Sequence, residues 1–324
     1  MHGLVRTTVV ASVLMALLDA CSTTPTAPPT PAIVSGASSS QLKIGTPVQF
    51  TATGSDGVAL SPTAVSWSSS DPAVASVDAN GRVTAHRLGT VTISATAGGQ
   101  TKASPLQTIY GMEFAVGTFN RSAIGLPNVF AHFVKVRLPD GSAPPTGSGL
   151  DITGPAGWNG GAPDPALTIN TGTAKYAIGL NTNPPTAGTY LGTTTIQGQT
   201  YTADASLNAS SLLPPVSQVT VTNVSASSVN VSWNAAAGAL SYTPILFDCG
   251  TAPNPTAADC STVVQRAPAT QGTSTTLAGL NFAAGHTYAM TVRAANVDFT
   301  QADPTTPTQI NLSVNGTFFK LVTP

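Results

Sequence analysis

The sequence predicts an all-β protein, and three observations carry that reading. Twelve of the thirteen acidic residues are Asp, a turn former, and Glu113 is the only Glu, which leaves no material for long helices with Glu and Lys faces. Charged residues make up 8% of the chain, against roughly 25% in an ordinary soluble domain, so the polar faces are built from Thr and Ser hydroxyls. Apolar residues alternate with these hydroxyls in short runs bounded by Gly, Pro, Asn and Asp, the period of half-buried strands.

At 324 residues the chain has room for two or three domains. A net charge of −1 with 41% hydrophobic residues is not the composition of a disordered protein. Twelve Lys and Arg, with no basic run, supply no field for phosphates, so nucleic acid is not an expected partner.

Residues 1–20 read as a signal peptide: Arg6 in a positive leader, the apolar run "VVASVLMALL" over 9–18, then small Ala20. Ten apolar residues fall short of the roughly 20 that span a bilayer. "Leu18-Asp19-Ala20-Cys21" resembles the lipobox of bacterial lipoprotein signal peptides, which implies cleavage before Cys21 and acylation of that cysteine. Asp19 stands where the pattern has a small or hydroxylated residue, so plain secretion after an ordinary cleavage is the alternative. Residues 21–31, "CSTTPTAPPTP", have nothing apolar to bury, and their prolines favour an extended tether. The expected location is the cell envelope, with a membrane partner through the lipid anchor.

Cys249 and Cys260 remain as a pair inside "DCGTAPNPTAADC", and in an exported chain they are expected to form a disulfide. Two thiols with no nearby His do not supply four zinc ligands.

Residues 32–104 form the first module. Val48, Phe50 and Ala52 alternate with Gln49, Thr51 and Thr53, and Val91, Ile93 and Ala95 alternate with Thr92, Ser94 and Thr96; Asn80-Gly81 supplies a hairpin turn. The string "VSWSSSDPAVASVDANGRVTAHRLGTVTISATAGG" resembles the bacterial Ig-like domain of group 2, with Trp67, Ala75, Val77, Gly81, Val83, Gly89, Thr90 and Ile93 in the family's positions. The resemblance implies a β-sandwich with Trp67 in its core. It names no ligand.

Residues 105–213 carry strand-like runs at 128–144 and 187–207 separated by Gly- and Pro-rich turns, which suggests a further Ig-like sandwich of no identified family. Residues 214–324 resemble a fibronectin type III domain: Val229, Val231 and Trp233 alternate on one strand, Tyr242 opens the next, and Leu280 and Tyr288 take the positions of the tyrosine corner. Asn315-Gly316 predicts one more hairpin turn.

The sequence contains no Gly-x-Ser-x-Gly elbow, no His-Glu-x-x-His pair and no phosphate-binding glycine loop followed by Lys, and no cofactor or metal is expected. Asp140, Asp151 and Asp164 each stand near Gly or Pro and read as turn residues, while His86, His132 and His286 fall one to a module. Trp158, with Asn159 beside it on the Gly-rich loop "GPAGWNGG", is the candidate for stacking on an envelope glycan. The composite expectation is a non-catalytic envelope lipoprotein acting in adhesion, matrix contact or display through tandem sandwiches, with a glycan or surface protein as partner. The alternatives are an accessory carbohydrate-binding protein and an enzyme. The first requires Trp158 to be exposed. The second requires two of Asp140, Asp151, Asp164 and His132 to converge.

Overall fold

The computed structural model describes residues 31–35, 40–145, 147–161, 164–169, 177–181, 183–222, 225–301, 304 and 309–320. Residues 1–30, on which the expected signal peptide, Cys21 and all but the last residue of the expected tether fall, lie outside them. The chain divides into two compact units, one holding residues 46–84 and 91–107 with the stretch before 41, the other holding 41–45, 85–90 and everything from 108 onward.

Up to residue 103 the strands are β1 (Pro31–Ser35), β2 (Gln41–Lys43), β3 (Val48–Gln49), β4 (Thr51–Gly54), β5 (Ser66–Ser69), β6 (Ala75–Val77), β7 (Arg82–Ala85), β8 (Gly89–Val91), β9 (Ile93–Ala97) and β10 (Gln100–Ala103). In the first unit they pair as β1-β4, β10-β9-β5 and β3-β7-β6. Alternation selects the core: Phe50, Ala52, Val83, Ile93 and Ala95 are buried, while the Thr and Ser between them face outward. The β6–β7 turn is closed by Asp78, whose N–H donates to the Arg82 carbonyl and whose carboxylate accepts from the N–H groups of Asn80 and Arg82. Gly81 has φ 81°, and a Cβ there would lie 2.8 Å from the Trp67 ring. Trp67 is therefore a half-buried plate over that turn rather than the fully buried core residue its position predicted.

The second unit contains two sandwich cores. The first is made by β11 (Gln107–Asn120), β12 (Val129–Arg137), β13 (Ser148–Thr153), β14 (Asp164–Ile169), β15 (Ala177–Asn181), β16 (Gly188–Ile196) and β17 (Gln199–Leu207). Sheet β15-β12-β11 packs on sheet β14-β13-β16-β17 through Val116, Phe130 and Val134 on one side and Leu150, Ile152 and Tyr201 on the other. The start of β11 also pairs in parallel with β2.

The second core lies between β18 (Ser217–Thr222), β19 (Ser228–Asn234) and β22 (Ser274–Ala278) on one sheet and β20 (Ser241–Asp248), β21 (Thr262–Arg266), β23 (Thr287–Ala295) and β24 (Leu312–Lys320) on the other. Trp233 is buried with its ring 5.5 Å from that of Tyr242. The Tyr288 hydroxyl accepts from the Ala283 N–H at 2.7 Å, a tyrosine corner at the position the sequence indicated. Asn315-Gly316 makes no turn. It lies within β24, where Gly316 faces Thr291 of β23 and a Cβ would come within 2.7 Å of the Met290 carbonyl, so the glycine serves close strand approach.

No break separates residues 105–213 from 214–324. The end of β11 pairs in parallel with β24, Phe119 opposite Leu312 and Asn120 opposite Ser313, so one sheet runs β15-β12-β11-β24-β23-β20-β21. The Ile310 N–H donates to the Val116 carbonyl and the Thr118 N–H to Asn311 Oδ1. The connecting chain is tied down as well: Asn120 Nδ2 donates to the Leu213 carbonyl, Ser313 Oγ to that of Pro214 and Asn315 Nδ2 to that of Val216. A third cluster packs Ala115, Phe119, Ala131 and Phe133 against Ala295, Val297, Ile310 and Leu312.

Candidate functional site

Trp158 opens a 3-10 turn, Trp158–Gly161, that folds the indole inward. The side chain is 3% exposed, 5.1 Å from the Phe130 ring and 5.2 Å from the Tyr190 ring, both nearly edge-on. Gly154 is packed so closely beneath it that a Cβ would meet the indole at 2.5 Å. A buried face cannot stack on a sugar, so the expectation of a glycan contact at Trp158 is corrected to a core role. Asn159 is held by its neighbour: its Oδ1 accepts from Asn183 Nδ2 at 2.9 Å, and its φ of 48° belongs to the turn.

Among the described side chains, those of a catalytic reading do not converge. Asp140 caps its own turn, accepting from the N–H and hydroxyl of Ser142, and these bonds hold its carboxyl below the usual range. Asp151 stands on the exposed side of β13. Asp164 begins β14, and its side chain lies outside the described residues. His132, 2% exposed on β12, stacks at 6.1 Å on Phe130; its Nδ1 has no hydrogen-bond partner among the described residues, and burial pushes its pKa down to about 4. Glu113 is committed to structure: its Oε1 accepts from the Leu88 N–H at 2.6 Å and lies 4.0 Å from Arg87 Nε. Of these, Glu113 and Arg87 line a hollow of about 650 Å³ that also takes in Lys43, Phe114 and Asp204. Among the described residues no three His, Cys, Asp or Glu side chains are grouped to hold a metal ion.

Cys249 and Cys260 are joined by a disulfide. The loop they close is anchored to the start of β23: the Cys249 N–H donates to the Thr287 carbonyl and the Thr287 N–H to that of Gly250. Below it, His286 Nδ1 lies 2.9 Å from Asp248 Oδ2. Asp259 fixes the far side of the loop, its Oδ2 accepting from both the N–H and the hydroxyl of Thr256. The result is a preformed loop on a rigid sandwich, the placement that suits recognition. The sequence located this loop through its cysteines; nothing in it disclosed which sheet face the loop would shelter.

Among the described residues no helix is long and apolar enough to cross a membrane. No curated protein matches the chain. Among solved structures it is similar to the FN1–FN3 domains of chicken CNTN1, at 15% identity over 89% of this chain and 99% of that one, with a TM-score of 0.24. It is similar to a two-domain fibronectin type III segment of chicken tenascin at 12% identity, covering 65% and 99%, with a TM-score of 0.24. It is also similar to domains 4 and 5 of the S-layer protein SbsC at 20% identity, covering 49% and 81%, with a TM-score of 0.19. Residues 30–107 match the family described as bacterial Ig-like domain (group 2), the one that the residues around Trp67, Gly81 and Gly89 resemble.

Proposed function

We propose that the chain is a non-catalytic surface protein of the cell envelope, exported, anchored through acylated Cys21, and acting in adhesion, matrix contact or display. The observation that carries the reading is the match of residues 30–107 to a bacterial Ig-like domain in a chain whose remaining described residues also build β-sandwiches. The Cys249–Cys260 disulfide supports export, because such bonds persist outside the reducing cytosol. The shared sheet of the second unit supports a presenting role, since it holds the loops at that unit's ends in fixed relation to one another. Hydroxyl-rich, nearly uncharged faces suit short-range contact more than electrostatic steering.

The test is metabolic labelling with an alkyne-tagged fatty acid in cells making the wild-type chain or Cys21→Ala, combined with protease shaving of intact cells. Label on the wild type alone, with both proteins outside the cytosol, is the expected result. Equal labelling of the two proteins sinks the anchor. Absence of label from both, with protein in the medium, replaces anchoring by secretion.

A further inference from the structure

A cavity of about 400 Å³ lies on the outer face of sheet β20-β23-β24, turned away from the sandwich core. Alternation defines that face: Ile245, Thr291 and Gly316 stand in register across the three strands and line the cavity, whereas Leu246, Met290 and Val292 point into the core. Such a face would ordinarily meet water. Here it is walled on one side by the turn around Ser122–Ile124 that follows β11, and on the other by Ala257 and Cys260 of the disulfide loop.

The walls are apolar and the charge is all of one sign. Arg121 and Arg293 line the cavity, and among the described residues no carboxylate does. Arg121 Nε donates to the Pro127 carbonyl at 2.9 Å. Arg293 has less: its Nε is sealed from solvent without a hydrogen-bond partner among the described residues, and its guanidinium lies 5.1 Å from the centre of the Phe119 ring. Burial, with the like charge of Arg266 added, pulls its pKa down to about 10, so it remains a cation at neutral pH. Asp259, the acid of the adjacent loop, is occupied with Thr256. A partly desolvated guanidinium with its Nε buried and unpaired among the described residues is costly to keep, and its planar fork fits a carboxylate with two parallel hydrogen bonds.

We propose that this cavity binds a small amphiphilic carboxylate, its head on Arg293 and its apolar tail between Ile124, Phe247 and Phe318. Phe318 is 46% exposed at the rim, an aromatic face that a tail would cover. The volume lies within the range of small-molecule sites, roughly 300–1,000 Å³. An inorganic anion would leave the apolar walls bare, and an alkylammonium would face two arginines. The inference is independent of the anchor at Cys21.

The test uses the full processed chain and three compounds below their micellar concentrations: dodecanoate, dodecyltrimethylammonium with the same tail and opposite charge, and acetate with the head alone. Calorimetric titration is expected to show dodecanoate binding at least about tenfold more tightly than either of the others, and Arg293→Met losing about tenfold or more of that affinity. Phe318→Ser, at a position 46% exposed, is expected to weaken dodecanoate severalfold and leave acetate unchanged. Equal binding of the two dodecyl compounds, no binding of dodecanoate, or unchanged affinity in both variants overturns the proposal. Thermal unfolding of Arg293→Met checks its folding; if that variant is unfolded, Phe318→Ser decides alone.

Discussion

His132 shows how a single titratable side chain responds when strands are buried on both faces. Its neighbours on β12 belong to the first core of the second unit on one face and to the third cluster on the other, so the imidazole has no route to water. Its pKa of about 4, against about 6.5 for an exposed imidazole, means that the folded chain binds the neutral ring. The stabilisation is complete above pH 6.5 and is lost as pH falls toward 4, by up to about 3 kcal/mol at about 1.36 kcal/mol per pH unit. His132→Met is expected to lose about 2 kcal/mol less than the wild type between pH 7 and pH 4.5, measured by urea unfolding at the two pH values. An unchanged acid slope would assign the sensitivity to other groups.

Among the elements, the disulfide loop is a wall as well as a loop. Reduction, or replacement of both Cys249 and Cys260 by Ser, is expected to cost about 2–3 kcal/mol, the chain-entropy value for so short a ring, and to lower the midpoint of thermal unfolding. A midpoint indifferent to reductant would show that the hydrogen bonds to Thr287 hold the loop without the covalent link. The strands themselves were largely legible, because alternation of Val, Ile and Phe with Thr and Ser reports one buried face directly, as at Phe50 and Ile93. What could not be read was anything that depended on a second covering. "VFAHFVKV" of β12 is buried throughout, His132 and Lys135 included, because both faces are covered, and nothing local names the partners. Arg293 sits in an alternating strand at what reads as a solvent position; the turn that shelters it lies about 170 residues earlier in the chain. Trp158 misled for the reverse reason, since glycines that look like an open loop are what let the indole fold back onto Phe130 and Tyr190.

At the scale of the second unit, modules that look like beads in the sequence share hydrogen-bonded backbone. Leu277 belongs to the C-terminal core and Trp158 to the core before it. Leu277→Ala, at a cost of about 2–5 kcal/mol, is therefore expected to lower the denaturation midpoint reported by Trp158 fluorescence in a background where Trp67 and Trp233 are Phe. A Trp158 midpoint unmoved by Leu277→Ala would mean that the two cores unfold independently.

The parallel pairing of β11 with β24 also sets an order of events during synthesis. A chain that emerges N-terminus first presents β11 long before Leu312 arrives, so the edge of β11 near Phe119 stays without its neighbour until then. The first compact unit pairs its strands among residues up to 107 and has no such wait. Synthesis would deliver the one ready to fold and hold the other open until β24 arrived, making that interval the one in which a chaperone has something to protect.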